Sequence, residues 1–172
     1  KTFTATVNTD NALNFDGVND AINIGQPIGA GSSYTIEAWV KYDGSTGPLN
    51  IVSSNKNVFY ISSNKLTAGV NGPSGSGGGS WAHVQNSNNL PANKWTHVAV
   101  TFNDPTKTIT LYENGVQVAT ASTSSSSLTF DTNEPFYIGS HSNNSSLNYS
   151  PVSFFKGNID EVRLWNTVLD AA

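Results

Sequence analysis

Among its 172 residues the chain has no cysteine and no methionine. Disulfides and thiolate metal sites are thereby excluded, and cysteine usage says nothing about compartment. Charge is almost as scarce. Only 12% of residues are Asp, Glu, Lys or Arg, and 8 basic against 12 acidic residues give a formal net charge of -4. No basic stripe is present to follow a phosphate backbone, so nucleic acid is not an expected partner. No apolar run approaches the roughly 20 residues that cross a bilayer as a helix, so membrane insertion is not expected either. Helical periodicity is nearly missing. With so few charges, Ser, Thr, Asn and Gly must cover the surface, and such a neutral polar coat suits secretion and contact with sugars. A chain of this length can bury one core without staples. Residues 1–172 are expected to form a single domain, and the start at Lys1 without any methionine suggests a segment of a larger protein.

What is present is period-2 alternation rich in Val, Ile, Thr and aromatics, broken by Gly, Asn, Asp and Ser clusters. The alternation predicts strands over Ala21 to Ile24, Tyr34 to Tyr42, Ile51 to Ser54, Val58 to Ser62, Lys65 to Val70 and Trp81 to Gln85. Further strands are predicted over Trp95 to Asn103, Thr108 to Glu113, Val116 to Ala121, Phe136 to Ile138 and Asn158 to Asn166. Short strands at this spacing make an all-β, two-sheet antiparallel β-sandwich. Asn114-Gly115 stands between two alternating runs and predicts a tight type I′ hairpin, because both residues tolerate positive φ. Two segments read as long loops, the Gly- and Ser-rich Gly72 to Ser80 and the Asn-rich Ser140 to Ser153.

Strand parity sorts the side chains into two faces. Ile36, Ala38 and Val40 oppose Glu37, Trp39 and Lys41, while Val98, Val100 and Phe102 oppose Trp95, His97 and Ala99. Strict alternation in the last strand groups Ile159, Glu161, Arg163 and Trp165 against Asp160, Val162 and Leu164. If these strands share a sheet, Trp39, Trp95 and Trp165 gather with Glu37, His97, Glu161 and Arg163. Two carboxylates on one sheet could serve glycoside hydrolysis as acid and nucleophile. The favoured reading is an ion-paired support for an aromatic layer. The sequence has no Glu-x-Asp-x-x-Glu strand, no Gly-x-Ser-x-Gly elbow and no His-x-x-x-His spacing, so no catalytic residues are assigned.

The order of motifs is more specific than any one of them. Leu13-Asn14-Phe15-Asp16-Gly17, Tyr34 to Lys41, Lys94-Trp95-Thr96-His97-Val98-Ala99 and the Asn114-Gly115 hairpin occur in sequence. Phe136-Tyr137-Ile138-Gly139 and Phe155 to Asn166 close the set. Together they resemble the laminin G-like and pentraxin-like domains of the concanavalin A type. The resemblance implies a jelly roll whose first and last strands lie side by side. It also implies a non-enzymatic module that binds carbohydrate or a glycosylated surface within a larger extracellular or cell-surface adhesin or polysaccharide-degrading protein. The alternatives are a structural or protein-binding spacer and, less favoured, a glycoside hydrolase or polysaccharide lyase.

Many relatives of this kind bind calcium, which takes oxygen ligands from carboxylates, carbonyls and water. The expected structural site uses Asp16 and Asp160 with Asn19, joining the two ends of the chain; the alternative is a set of Asx turns. Glycan contact calls for aromatic faces beside amide, imidazole and hydroxyl groups. Trp81, His83 and Gln85 alternate along one predicted strand, and His141 and Tyr149 stand in the Asn-rich segment. These five are the expected ligand-binding residues. The sequons at Asn143, Asn144 and Asn148 could instead carry glycans.

Overall fold

A computed structural model describes residues 12–29, 31–55, 57–71, 81–122, 135–145 and 148–170. Among them there is no helix, and fourteen strands account for the regular structure. In chain order these are β1 (Leu13–Asp16), β2 (Ile22–Asn23), β3 (Tyr34–Tyr42), β4 (Leu49–Ser53), β5 (Asn57–Ser62), β6 (Lys65–Asn71) and β7 (Trp81–Gln85). The second half supplies β8 (Thr96–Asn103), β9 (Thr108–Glu113), β10 (Val116–Ser122), β11 (Tyr137–Ile138), β12 (His141–Ser145), β13 (Asn148–Val152) and β14 (Lys156–Trp165).

Two six-stranded sheets form the sandwich. One runs β1-β14-β3-β8-β9-β10, the other β2-β11-β4-β5-β6-β7, and every pairing in both is antiparallel. The opening and closing strands are neighbours as expected, with Leu13 opposite Ile159 and Asp16 opposite Lys156. Alternation explains the core: Ile36, Ala38 and Val40 from β3, Val98, Val100 and Phe102 from β8, and Phe59 and Ile61 from β5 all point between the sheets. Phe15 of β1 meets Phe155 edge to face at 6.2 Å between ring centres, tying the entry of the chain to its exit.

Local chemistry sets the turns. Asn114 and Gly115 adopt φ of 50° and 78°, the double positive pair that a type I′ hairpin needs. Gly157 takes φ of +134° where β14 crosses β3 so closely that a Cβ would strike the Lys41 carbonyl and the Tyr42 backbone.

Two expectations are corrected. Ser140 to Ser153 is not one long loop, because β12 and β13 pair with His141 opposite Val152 and Asn144 opposite Tyr149. Pro151 ends up in a two-stranded edge ribbon, which tolerates a missing N–H. The parity of the last strand also breaks. Its register against β3 runs from Asp160 opposite Trp39 to Arg163 opposite Glu37, leaving one extra residue in β14. Glu161 takes φ of 50° at this bulge, and its N–H is accepted by Asp160 Oδ1 at 2.8 Å. The bulge lets Ile159, Val162 and Leu164 turn toward the core, while Glu161, Arg163 and Trp165 stay exposed. The other expected loop, Gly72 to Ser80, lies outside the described residues.

Candidate functional site

The two sheets differ in charge. Strands of the first carry Asp16, Glu37, Lys41, Glu113, Lys156, Asp160, Glu161 and Arg163, whereas strands of the second carry Lys65 alone. Each sheet holds a cavity on its outer face, and their chemistry follows that division.

On the first sheet Glu37 is the hub. Its Oε2 lies 3.2 Å from His97 Nε2, its Oε1 accepts the Trp165 indole N–H at 3.1 Å, and Arg163 approaches to 3.8 Å while pairing closely with Glu161. His97 in turn meets the edge of Trp39 at 5.5 Å. Of the expected group, Trp39, Trp165, His97, Glu161 and Arg163 gather around Glu37, in the form of a satisfied network. A cavity of about 290 Å3 beside it is lined by Glu37, His97, Ala99, Tyr112 and Leu169, among others. Its rim is pinned because Thr35 Oγ1 donates to the Thr167 carbonyl at 2.8 Å and accepts Leu169 N–H at 2.9 Å.

The second sheet carries a cavity of about 340 Å3, within the range of small-molecule sites. Its lining consists of Pro48, Asn50, Val58, Tyr60, His83, His141 and Ser153, with no ionised carboxylate, Lys or Arg among the described residues. Two of the five expected ligand residues therefore meet here from distant parts of the chain. His83 comes from β7 and His141 from the ribbon strand β12, which the Ser153 end of the ribbon anchors. The Asn50 amide N–H donates to the Ser153 carbonyl at 2.9 Å, and Asn50 Oδ1 accepts the Ser53 hydroxyl at 2.9 Å.

Gly69 makes the site possible. It lies between Val58 and His83 in the register, and any Cβ there would collide with the His83 ring, so the imidazole lies down over the sheet. Burial holds the His141 imidazole below its ordinary pKa and raises the Tyr60 phenol above its own. Both groups are consequently neutral at physiological pH, and each offers one N–H or O–H donor and an acceptor.

The remaining expected ligand residues sit nearby or elsewhere. Gln85 donates from Nε2 to Thr67 Oγ1 at 2.9 Å and does not line the cavity. Trp81 opens β7 opposite Asn71, two residues before His83, and Tyr149 lies opposite Asn144 on the ribbon. Tyr60 and Asn50 were missed by the sequence reading. The signal for Tyr60 was available, since it alternates with core residues Phe59 and Ile61 and so must face outward.

The expected calcium ligands do not assemble. Asp16 Oδ1 accepts Val18 N–H at 2.7 Å, and Asp20 Oδ2 accepts Asp16 N–H at 2.9 Å, closing an Asx-type turn. Asp160 lies four residues along β14 from the partner of Asp16, roughly 13 Å at strand rise. Among the described residues no three His, Cys, Asp or Glu side chains stand close enough to hold a metal ion. These residues do not fit the expected cation site.

The fold and its motifs match one family across nearly the whole chain. The sequence profile of the Concanavalin A-like lectin/glucanases superfamily covers residues 16–172. The chain belongs to this superfamily. No curated protein matches it. Among solved structures, this concanavalin A-like chain is similar to a Bacteroides ovatus protein whose name proposes carbohydrate binding, at 21% identity and a TM-score of 0.68, covering 93% of the chain and 44% of that protein. The chain therefore spans less than half of that relative's length. It is similar to the CBM40 domain of the Ruminococcus gnavus IT-sialidase bound to α2,3-sialyllactose, at 11% identity and a TM-score of 0.67, covering 92% of each. A third similar structure is domain 4 of AbnA, an extracellular arabinanase from Geobacillus stearothermophilus, in complex with arabinotriose. That match has 21% identity and a TM-score of 0.62, covering 93% of the chain and 72% of that domain's chain.

Proposed function

We propose that this concanavalin A-like domain is a non-catalytic carbohydrate-binding module, and that it binds its glycan on the outer face of the second sheet. The observation that carries this reading is the meeting of His83 and His141 with Tyr60 in one cavity of about 340 Å3. An aromatic ring offers the face on which a sugar's C–H surface can rest, and the imidazoles and the phenol offer hydrogen bonds to hydroxyls. Carbohydrate-binding domains among the similar structures support the same reading.

The charged sheet supports a non-catalytic role. Glu37 already accepts the Trp165 indole and faces His97, and Glu161 pairs with Arg163 outside the neighbouring cavity. Two carboxylates joined through one arginine do not flank a substrate as acid and nucleophile do. We place the module outside the cell, as one domain of a larger secreted or surface protein, on the strength of its neutral polar composition and the extracellular arabinanase it is similar to.

A glycan array followed by isothermal titration of the intact domain tests the proposal. Binding should be saturable, should not need calcium and should weaken roughly tenfold on His83→Ala, the loss expected for one hydrogen bond. Silence across plant, algal and animal glycans would favour a spacer that presents neighbouring domains.

A further inference from the structure

We infer that the cavity on the second sheet selects neutral oligosaccharides and rejects those carrying carboxylates, such as sialylated glycans or uronates. The inference rests on the glycan-binding reading above and adds the class of sugar to it. Capturing a carboxylate in a partly dry cleft calls for a cationic partner, and arginine supplies the bidentate form of that contact. Among the described residues no Lys or Arg lines this cavity. Its walls are Pro48, Val58, Tyr60, Asn50, Ser153 and two histidines.

The scarcity of cations extends beyond the walls. Lys65 is the one charged residue in the strands of this sheet, and it sits opposite Ser62 at the end of the β5–β6 hairpin. Of the segments that border these strands in sequence, 72–80 and 143–150 contain no Asp, Glu, Lys or Arg, while the β4–β5 connection holds one cation, Lys56, which lies outside the described residues. Charge is concentrated on the opposite sheet, where the basic groups Arg163 and Lys156 are paired with Glu161 and Asp43. His141, the remaining basic group within the cavity besides His83, is kept neutral by its burial. A sugar carboxylate entering here would lose its hydration with no Lys or Arg among the described lining residues to receive it, whereas hydroxyls would find donors and acceptors.

The deciding experiment titrates the domain at neutral pH with arabinotriose and xylotriose on one side and α2,3-sialyllactose and trigalacturonate on the other. A second series uses Pro48→Arg, an exposed loop substitution that brings a cation to the rim without disturbing the core. The expected result is binding of at least one neutral trisaccharide, weakened roughly tenfold by His83→Ala, with acidic sugars at least about tenfold weaker. Pro48→Arg should then narrow the gap between the two classes by strengthening the acidic sugars. Acidic sugars that bind the unaltered domain as tightly as neutral ones would overturn the selectivity while leaving the module's function intact. Failure of both classes would remove the glycan-binding reading itself. Binding of neutral sugars untouched by His83→Ala would move the site elsewhere and so refute the inference.

Discussion

The His83 imidazole lies across Gly69, occupying the space where any other residue would place its Cβ. This strand-centre glycine costs local sheet stability, and its use is to lower a ring onto the sheet and open a floor beside Val58 and Tyr60. Gly69→Ala should push the flexible His83 side chain aside. We expect glycan affinity to drop about tenfold while the melting midpoint changes little, because the displaced group is an exposed side chain. Titration and thermal melting of the same variant check both halves.

Gly157 shows the opposite balance, since backbone rather than a movable side chain surrounds it. A Cβ there meets the Lys41 carbonyl oxygen and the Tyr42 Cα at a φ of +134°. Gly157→Ala should cost ~3 kcal/mol, combining strain with displaced backbone. The midpoint should fall by roughly 10 °C at this chain size. A melting curve within a degree or two of the parent would mean that β14 and β3 are not held as closely as described.

Acid should weaken the domain through His141. Burial lowers its pKa below the ordinary 6.5. Between that lowered value and 6.5, the unfolded chain binds more protons than the native one, so stability rises with pH across this window. The contribution is complete above 6.5 and is lost as pH falls toward the native value. His141→Gln should flatten this part of the pH profile. Melts of both proteins from neutral to mildly acidic pH measure the difference, and parallel slopes would place the imidazole in water.

Removing the hub charge on the other sheet should not disturb recognition. Glu37→Gln weakens the contacts with His97 and Arg163, at a cost of ~1–2 kcal/mol for a half-buried charge-assisted network. Glycan affinity should stay within about twofold of the parent, because the two cavities lie on opposite sheets. A large loss of affinity would relocate binding to the Glu37 cavity.

Calcium gives a simple contrast. With Asp16 engaged in its own turn and Asp160 four residues away along the strand pair, these two carboxylates do not form one cation site between the chain ends. EGTA should leave the melting midpoint unchanged. A fall of several degrees, reversed by added calcium, would show a ligand set other than the expected trio.

Much of the fold was legible because its signals are local. Alternation placed β3, β7 and β9 at their observed bounds, and Asn114-Gly115 announced its hairpin. The neighbouring first and last strands came from motif order rather than from any local pattern. What could not be read were events that depend on a partner strand. The Glu161 bulge reverses parity only because β14 must stay in register with β3 on both sides of it. The ribbon of β12 and β13 was hidden by Asn, Ser and Pro, whose weak strand preference is overridden by mutual pairing. At the site, the residue types of His83 and His141 were informative, but their convergence spans 58 positions of sequence and arises from tertiary structure alone. The expected calcium ligands are separated at the same level: Asp16 and Asp160 do lie on paired strands, yet the register sets them at opposite ends of the pairing.

The most direct test of the central claim is a heteronuclear NMR titration of the domain with whichever neutral trisaccharide binds. Shift changes are expected to centre on Tyr60, His83, His141 and Ser153, with the Glu37, His97 and Trp165 signals unmoved. Changes confined to the Glu37 side, or none at saturating sugar, would contradict it.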